Sequence, residues 1–352
     1  MTTRRAFLAG VAGAGLASPA LGQGAVRWRM VTAWPRDLPG PGVSARRLAE
    51  RVRALTGGRF EIVVHAAGEI VPALGVFDAV AGGVAQAGHG ASFFQASKAP
   101  VAQLFTTVPF GLAPIEHHAW LDHAGGQALW AEVYAPFGVV PLVGGNTGPS
   151  MAGWFTRPIA TPDDLGGLRI RVAGLGAEMY RRLGATPVLV APGEIFSSLR
   201  SGVIDAVEFL GPWSDLAQGF HQAARHYLAP GVTKPNGSSE LVVQRAAYEA
   251  LSAEHRAALV HAAQAETLAG LGEAERANAE ALGVLRDQHR VEIGTLPEPV
   301  LAAMRAAAGG ILDTIASADP LARRVVESYV GVLGAARGWS RVSLGGFFSA
   351  RA

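Results

Sequence analysis

Gly68-Glu69-Ile70 leads through a helix-period stretch to Phe77-Asp78-Ala79-Val80-Ala81-Gly82-Gly83-Val84-Ala85-Gln86-Ala87. Gly193-Glu194-Ile195 leads to Phe196-Ser197-Ser198-Leu199-Arg200-Ser201-Gly202-Val203-Ile204-Asp205-Ala206. Each copy reads as a helix, a glycine turn and a short strand, and the second is shorter between its Ile and its Phe. Two similar α/β units predict two similar lobes rather than one continuous sheet. Ligands of open α/β sheets bind beyond the carboxyl ends of strands. Those ends are Gly88-His89-Gly90-Ala91-Ser92-Phe93-Phe94 and Val207-Glu208-Phe209-Leu210-Gly211-Pro212-Trp213. Both are aromatic and carry few polar groups. Facing each other, they would enclose a mostly apolar pocket with a few placed polar groups.

The flanking sequence fits this reading. Strands are expected over Val26–Thr32, Phe60–His65, Ala85–Gly90, Leu168–Val172 and Val188–Val190. Helices are expected over Gly42–Leu55, Ile70–Ala81, Leu175–Leu183 and Glu194–Ser201. In the first helix Val43, Leu48, Val52 and Leu55 recur at helical spacing, and Thr56-Gly57-Gly58 stops it. Strands alternating with helices predict parallel sheets. From Glu249 to about Leu333 the chain reads as Ala-rich helix, its last long piece, Val300–Leu333, interrupted at Pro320.

The first 22 residues read as a secretory signal. Arg4-Arg5 precedes Phe7-Leu8, an uncharged run from Ala9 to Ala17 and the small residues Ala20-Leu21-Gly22. Paired arginines before an apolar run fit the twin-arginine variety, and the run is too short to span a bilayer. Export to the periplasm is therefore expected. No second stretch reads as a membrane span, so the mature chain is expected to be soluble. The chain has no cysteine, which excludes disulfide and thiolate chemistry. Its formal net charge of +2 and the absence of a basic, aromatic-interleaved stripe argue against nucleic acid as a partner.

Several groups of residues could carry chemistry. In Leu168-Arg169-Ile170-Arg171-Val172, strand alternation puts Arg169 and Arg171 on one face. Arg171, near the strand's end, is either a surface or salt-bridged arginine or a fork holding a carboxylate. Gly174-Leu175-Gly176-Ala177-Glu178-Met179 follows a strand and opens a helix, which invites a dinucleotide-cofactor reading, but Met179 stands where the third glycine belongs. An exported oxidoreductase using Gly174 and Gly176 is thus the rival to a binding protein. His117, His118 and His123 lack a clean ligand spacing and are expected on a solvated helix face. Glu208 is a lone acid among aromatics, either a capped carboxylate or a cation ligand.

The ordered segments Trp34-Pro35, Leu38-Pro39-Gly40-Pro41-Gly42, Ala67-Gly68-Glu69-Ile70-Val71-Pro72, Gly145-Asn146-Thr147-Gly148, Arg169-Ile170-Arg171, Pro192-Gly193-Glu194-Ile195-Phe196 and Glu208-Phe209-Leu210-Gly211-Pro212-Trp213 resemble a known family. The chain resembles, from about Trp28 to Arg337, a TRAP transporter periplasmic solute receptor. Within that group it is similar to the subgroup that binds 2-oxo acids and related monocarboxylates. The resemblance implies an α/β, two-lobed periplasmic-binding-protein-like fold (type II-like) with long connecting and C-terminal helices. Lobe I would comprise 25–149 plus about 235–285, lobe II 150–234 plus about 286–320, and a C-terminal segment of about 300–340 would make a homodimer.

The resemblance further implies a receptor, not an enzyme, that captures a small 2-oxo or 2-hydroxy carboxylate for TRAP membrane subunits. Arg171 matches the arginine that pairs with the ligand carboxylate. Asn146, Ser150, Phe93, Phe209 and Trp213 complete the expected binding set. Glu208 and the Phe209 carbonyl, helped by Glu240, match positions that hold Na+ or Ca2+; no organic cofactor is implied. Where the subgroup places a glutamine touching both ligand and cation, this chain has Ser150. The cation and the exact ligand depend on what fills that gap.

Overall fold

The computed structural model describes residues 25–351. The expected signal segment, 1–22, lies outside the described residues. Among the described residues eleven strands form two sheets. They are β1 Val26–Thr32, β2 Phe60–His65, β3 Ala87–Gly90, β4 Val139–Asn146, β5 Gly153–Phe155, β6 Arg169–Arg171, β7 Thr186–Val188, β8 Ala206–Val207, β9 His226–Ala229, β10 Ser238–Gln244 and β11 Glu292–Thr295. The first sheet has the order β2-β1-β3-β10-β4 and the second β11-β9-β5-β8-β6-β7. Each centres on one unit of the repeated helix–turn–strand sequence, whose strands are β3 and β8.

The sheets are mixed, not parallel as expected. β1 pairs in parallel with β2 and β3, but β10 runs antiparallel to β3 and β4, and β5 runs antiparallel to β8 and β9. The reason lies in the connections. The chain leaves the first sheet along β4 and enters the second as β5, then leaves along β9 and returns as β10. The two passages lie side by side: Thr147 N–H donates to the Gly237 carbonyl and Ser150 N–H to the Lys234 carbonyl, both at 3.1 Å. Such a paired crossover is a natural hinge between lobes.

Besides the N-terminal helix α1, Pro41–Leu55, a 35-residue helix, α2 Ala253–Asp287, makes a third link. Ser252 caps it by accepting the His255 N–H. It packs on α1 and β4 of the first lobe and on the short helix Pro212–Ala217 of the second. Buried Glu266 accepts from Arg47 at 2.7 Å and from Arg51 at 3.1 Å, fastening α2 to α1.

Local differences from the sequence reading have local causes. The buried stripe of α1 is Ala45, Leu48, Ala49 and Val52, whereas Leu55 is exposed, because Thr56 Oγ1 draws in the Val52 carbonyl and ends the helix. The helix expected over Ile70–Ala81 is only Val76–Ala81, after a single tight turn at Ala73–Gly75, because Pro72 supplies no N–H. The expected piece Val300–Leu333 is three helices. Gly309-Gly310 separates Glu298–Ala308 from Ile311–Ala316, and Asp319 caps α3, Pro320–Ser340. Glu298–Ala316 is long and apolar enough to cross a bilayer by length and composition, contrary to the sequence reading. It is nonetheless two helices broken at those glycines. α3 returns to the first lobe, where Tyr329 Oη accepts the Leu112 N–H at 2.8 Å and Ser328 Oγ accepts the Trp120 indole N–H at 3.0 Å.

The histidines also differ from expectation. Of His117, His118 and His123, His117 is fully buried rather than solvated, His118 is half-buried and His123 is exposed. Burial pushes the His117 imidazole down to about 3, with the neighbouring His118 a lesser cause. His89 is likewise buried and pushed down to about 4. Trp34 Nε1–H donates to its Nδ1 at 2.8 Å, so its Nε2–H donates to the Gly144 carbonyl at 2.7 Å. A histidine held neutral in the fold contributes stability above its unfolded pKa and loses it as acid protonates the unfolded chain. We therefore expect His117→Asn to lose less stability than the parent between pH 7 and pH 5, by about 2 kcal/mol. Urea midpoints at the two pH values check this, and equal losses would contradict it.

Candidate functional site

β6 and β8 are parallel neighbours in the second sheet, pairing Arg171 with Val207. Beyond that pair the chain presents Glu208 and Phe209, so the strand ends carry an arginine and a carboxylate at one level. Arg169, at the outer end of β6, is exposed and paired with Asp205, its Nε 2.8 Å from Oδ2. Arg171 is 2 % exposed. Its Nη1–H donates to the Glu208 carbonyl at 2.8 Å and its Nε–H to the Val190 carbonyl at 3.3 Å, and its guanidinium carbon lies 5.2 Å from the Phe209 ring centre. Among the described residues no carboxylate is paired with it. Burial pulls the guanidinium down to about 10, opposed by the charges of Glu208 and Asp215.

The sequence reading did not single out Lys234, which completes the cluster. Lys234 Nζ lies 2.7 Å from Glu208 Oε1 and donates to the Phe209 carbonyl. The Glu208 contact is a close ion pair off the hydrogen-bond axis. Burial lowers the Lys234 pKa, and the Glu208 carboxylate pulls it back up. Behind the pair, Asp215 accepts from Trp154 Nε1 at 3.0 Å, Tyr227 Oη at 2.9 Å and Leu210 N–H at 3.2 Å. That last bond fixes the turn presenting the Phe209 carbonyl. Burial pushes the Asp215 carboxyl up to about 6.

The first lobe closes over this cluster. Phe93 reaches across to within 3.2 Å of where a Cβ on Gly174 would stand. A cavity with about 20 Å³ of room lies between the lobes, lined among others by Trp34, Phe93, Leu210, Lys234 and Ser238. That is space for about one water, so a solute must enter by opening of the lobes. A wider cleft of about 650 Å³ lies between the two copies of the repeated sequence, with Gly68 and Ile70 on one wall and Gly193 and Glu194 on the other. The buried hydroxyls of Ser238, Thr107 and Thr233 have no partner among the described residues. Of these, Ser238 lines the cavity, and an unsatisfied buried group at a cavity wall suits a polar ligand.

Arg171, Glu208, Phe209 and Ser150 gather about Lys234, and Phe93 lines the cavity, whereas Asn146, Trp213 and Glu240 make their hydrogen bonds to other residues. Asn146 braces the crossover, donating to Asn236 Oδ1 at 2.8 Å and accepting Gly148 N–H at 2.9 Å. Trp213 is partly buried, its backbone N–H donating to Asn278 Oδ1 of α2 at 2.9 Å. Glu240 accepts Tyr134 Oη–H at 2.7 Å, and burial raises its carboxyl to about 8. It makes no hydrogen bond or ion pair with Glu208, Phe209 or Lys234. Ser150 Oγ donates to the Lys234 carbonyl at 3.1 Å. The dinucleotide reading fails on space: the place beside Gly176 is filled by Val172 and Thr233, and that beside Gly174 by Phe93.

Residues 37–319 match the model of the family described as bacterial extracellular solute-binding protein, family 7. A monocarboxylate 2-oxoacid-binding periplasmic protein from Nostoc sp. is 35 % identical over 318 residues, covering 90 % of this chain and 87 % of its own. A TRAP periplasmic solute-binding protein from Pseudoalteromonas atlantica, solved with bound sodium and pyruvate, shares 32 % identity and a TM-score of 0.89 over 92 % of this chain and 98 % of its own. A TRAP solute-binding protein from Bordetella bronchiseptica shares 31 % identity and a TM-score of 0.91 over 94 % and 98 %. It was solved as a mixed-occupancy dimer with copurified calcium and picolinate in one site. These relatives are transport receptors, not enzymes. The chain belongs to the bacterial extracellular solute-binding proteins of family 7.

Proposed function

We propose that this protein is the periplasmic receptor of a TRAP transporter, capturing a small 2-oxo or 2-hydroxy monocarboxylate and presenting it to the membrane subunits. The observation that carries this reading is Arg171, a guanidinium 2 % exposed with no carboxylate partner among the described residues. A buried charge is costly unless paired, and a planar fork matches both oxygens of a carboxylate. The bound acid supplies the missing counter-ion, and the two lobes close over it about the paired crossover. Pyruvate and picolinate, named with the relatives, are both small carboxylates. The test is calorimetric titration with a panel of 2-oxo, 2-hydroxy and dicarboxylic acids. One acid class should bind, and Arg171→Ala should weaken it by about a hundredfold or more. Equal binding by the variant would overturn the assignment of Arg171.

Two features extend the reading. Arg4-Arg5 ahead of the apolar run directs the chain to twin-arginine export. Replacing both with lysine should leave the protein in the cytoplasm on cell fractionation, and unchanged export would refute it. The end of the chain exposes Trp339, Val342, Leu344, Phe347 and Phe348, each at least 50 % accessible. We infer that this apolar face meets a second copy, forming the homodimer. Sedimentation should show a dimer for the mature chain and a monomer after truncation beyond Arg337; a dimer in both would refute this interface.

A further inference from the structure

Lysine is scarce in this chain. Apart from Lys98 and Lys234, its Lys and Arg residues are all arginines. Lys234 is 5 % exposed, and its ammonium meets Glu208 Oε1 and the Phe209 carbonyl. Those are the two groups that the family resemblance assigns to a cation. A Ca2+ ion on the same oxygens would lie about 2.3–2.6 Å from each, in the space the ammonium fills. Two positive centres so close repel strongly where water is excluded. The ion and the ammonium therefore exclude each other.

The remaining expected ligands point the same way. Ser150, in place of an amide, gives its hydroxyl to the Lys234 carbonyl and so holds the lysine backbone. Glu240 is held by Tyr134. Among the described residues no group of three acidic, His or Cys side chains could hold a metal. The residues present do not fit a resident ion.

We propose that the Lys234 ammonium stands in for the metal ion, so that this receptor binds its 2-oxo acid without Na+ or Ca2+. The proposal rests on the receptor reading above. Lys234 lines the interlobe cavity. Its remaining N–H serves the ligand's 2-oxo oxygen while Arg171 holds the carboxylate. A lysine suits this role better than an arginine because its charge is compact and ion-like.

The experiment titrates pyruvate calorimetrically into the mature protein, stripped with EDTA and held in choline chloride. Pyruvate should bind, and replacing choline with sodium or adding calcium should change the Kd by less than about twofold. Calcium alone should give no binding. Lys234→Ala should bind about tenfold to a hundredfold more weakly without cations, with calcium restoring part of the loss. Binding by the parent protein only when sodium or calcium is present overturns the proposal and leaves the receptor reading intact. Failure of pyruvate and every other 2-oxo acid to bind, with or without cations, overturns both. The parent's cation comparison decides the matter even if the alanine variant does not fold.

Discussion

Two cations, Arg171 and Lys234, are buried at one strand end, where Glu208 makes the ion pair with Lys234 and Asp215 stands behind it, and no carboxylate among the described residues meets Arg171. The cluster is buried, so each charge is stabilised by what the fold places beside it. Backbone carbonyls of Val190, Glu208 and Phe209 take the donors that no side chain takes. Asp215, behind them, holds the turn carrying the last of these carbonyls. The Arg171 guanidinium, held only by backbone carbonyls, is left able to meet an anion. That explains why a binding protein, which performs no chemistry, keeps ionised groups in an otherwise apolar interior.

The same cluster ties the site to the hinge. Lys234 belongs to the returning passage between sheets, and Ser150 of the outgoing passage donates twice to its carbonyl. Whatever the Lys234 ammonium touches is thus coupled to the segment about which the lobes turn. Glu266 and its arginines fasten α2 to the first lobe, while Asn278 bonds the second. The long helix therefore bridges the two lobes. A ligand touching both lobes favours the closed state through its own contacts.

Much of the fold was legible in the sequence because its signals are local. The helix–turn–strand repeat lies across the two sheets as expected, and the strands Val26–Thr32 and Phe60–His65 fall where alternation placed them. Strand direction was not legible, because β5 and β10 take theirs from crossover connections that no local pattern encodes. At the site, Arg171 and Glu208 could be picked out as unusual charges at strand ends. Lys234 was missed because it lies in a loop, Val232-Thr233-Lys234-Pro235-Asn236, without periodicity. The one available signal was compositional: a lysine in a chain that otherwise uses arginine almost throughout. Asn146, Trp213 and Glu240 were assigned through the resemblance. Their side-chain or backbone partners, Asn236, Asn278 and Tyr134, come from distant parts of the chain. Motif spacing cannot show that.

The most direct measurement of the central claim is a crystal structure of the mature protein grown with pyruvate in the presence of calcium. The account predicts the pyruvate carboxylate on Arg171, and Lys234 Nζ between Glu208, the Phe209 carbonyl and the 2-oxo oxygen. An ion bound to those oxygens at about 2.3–2.6 Å, with the lysine turned away, would contradict it.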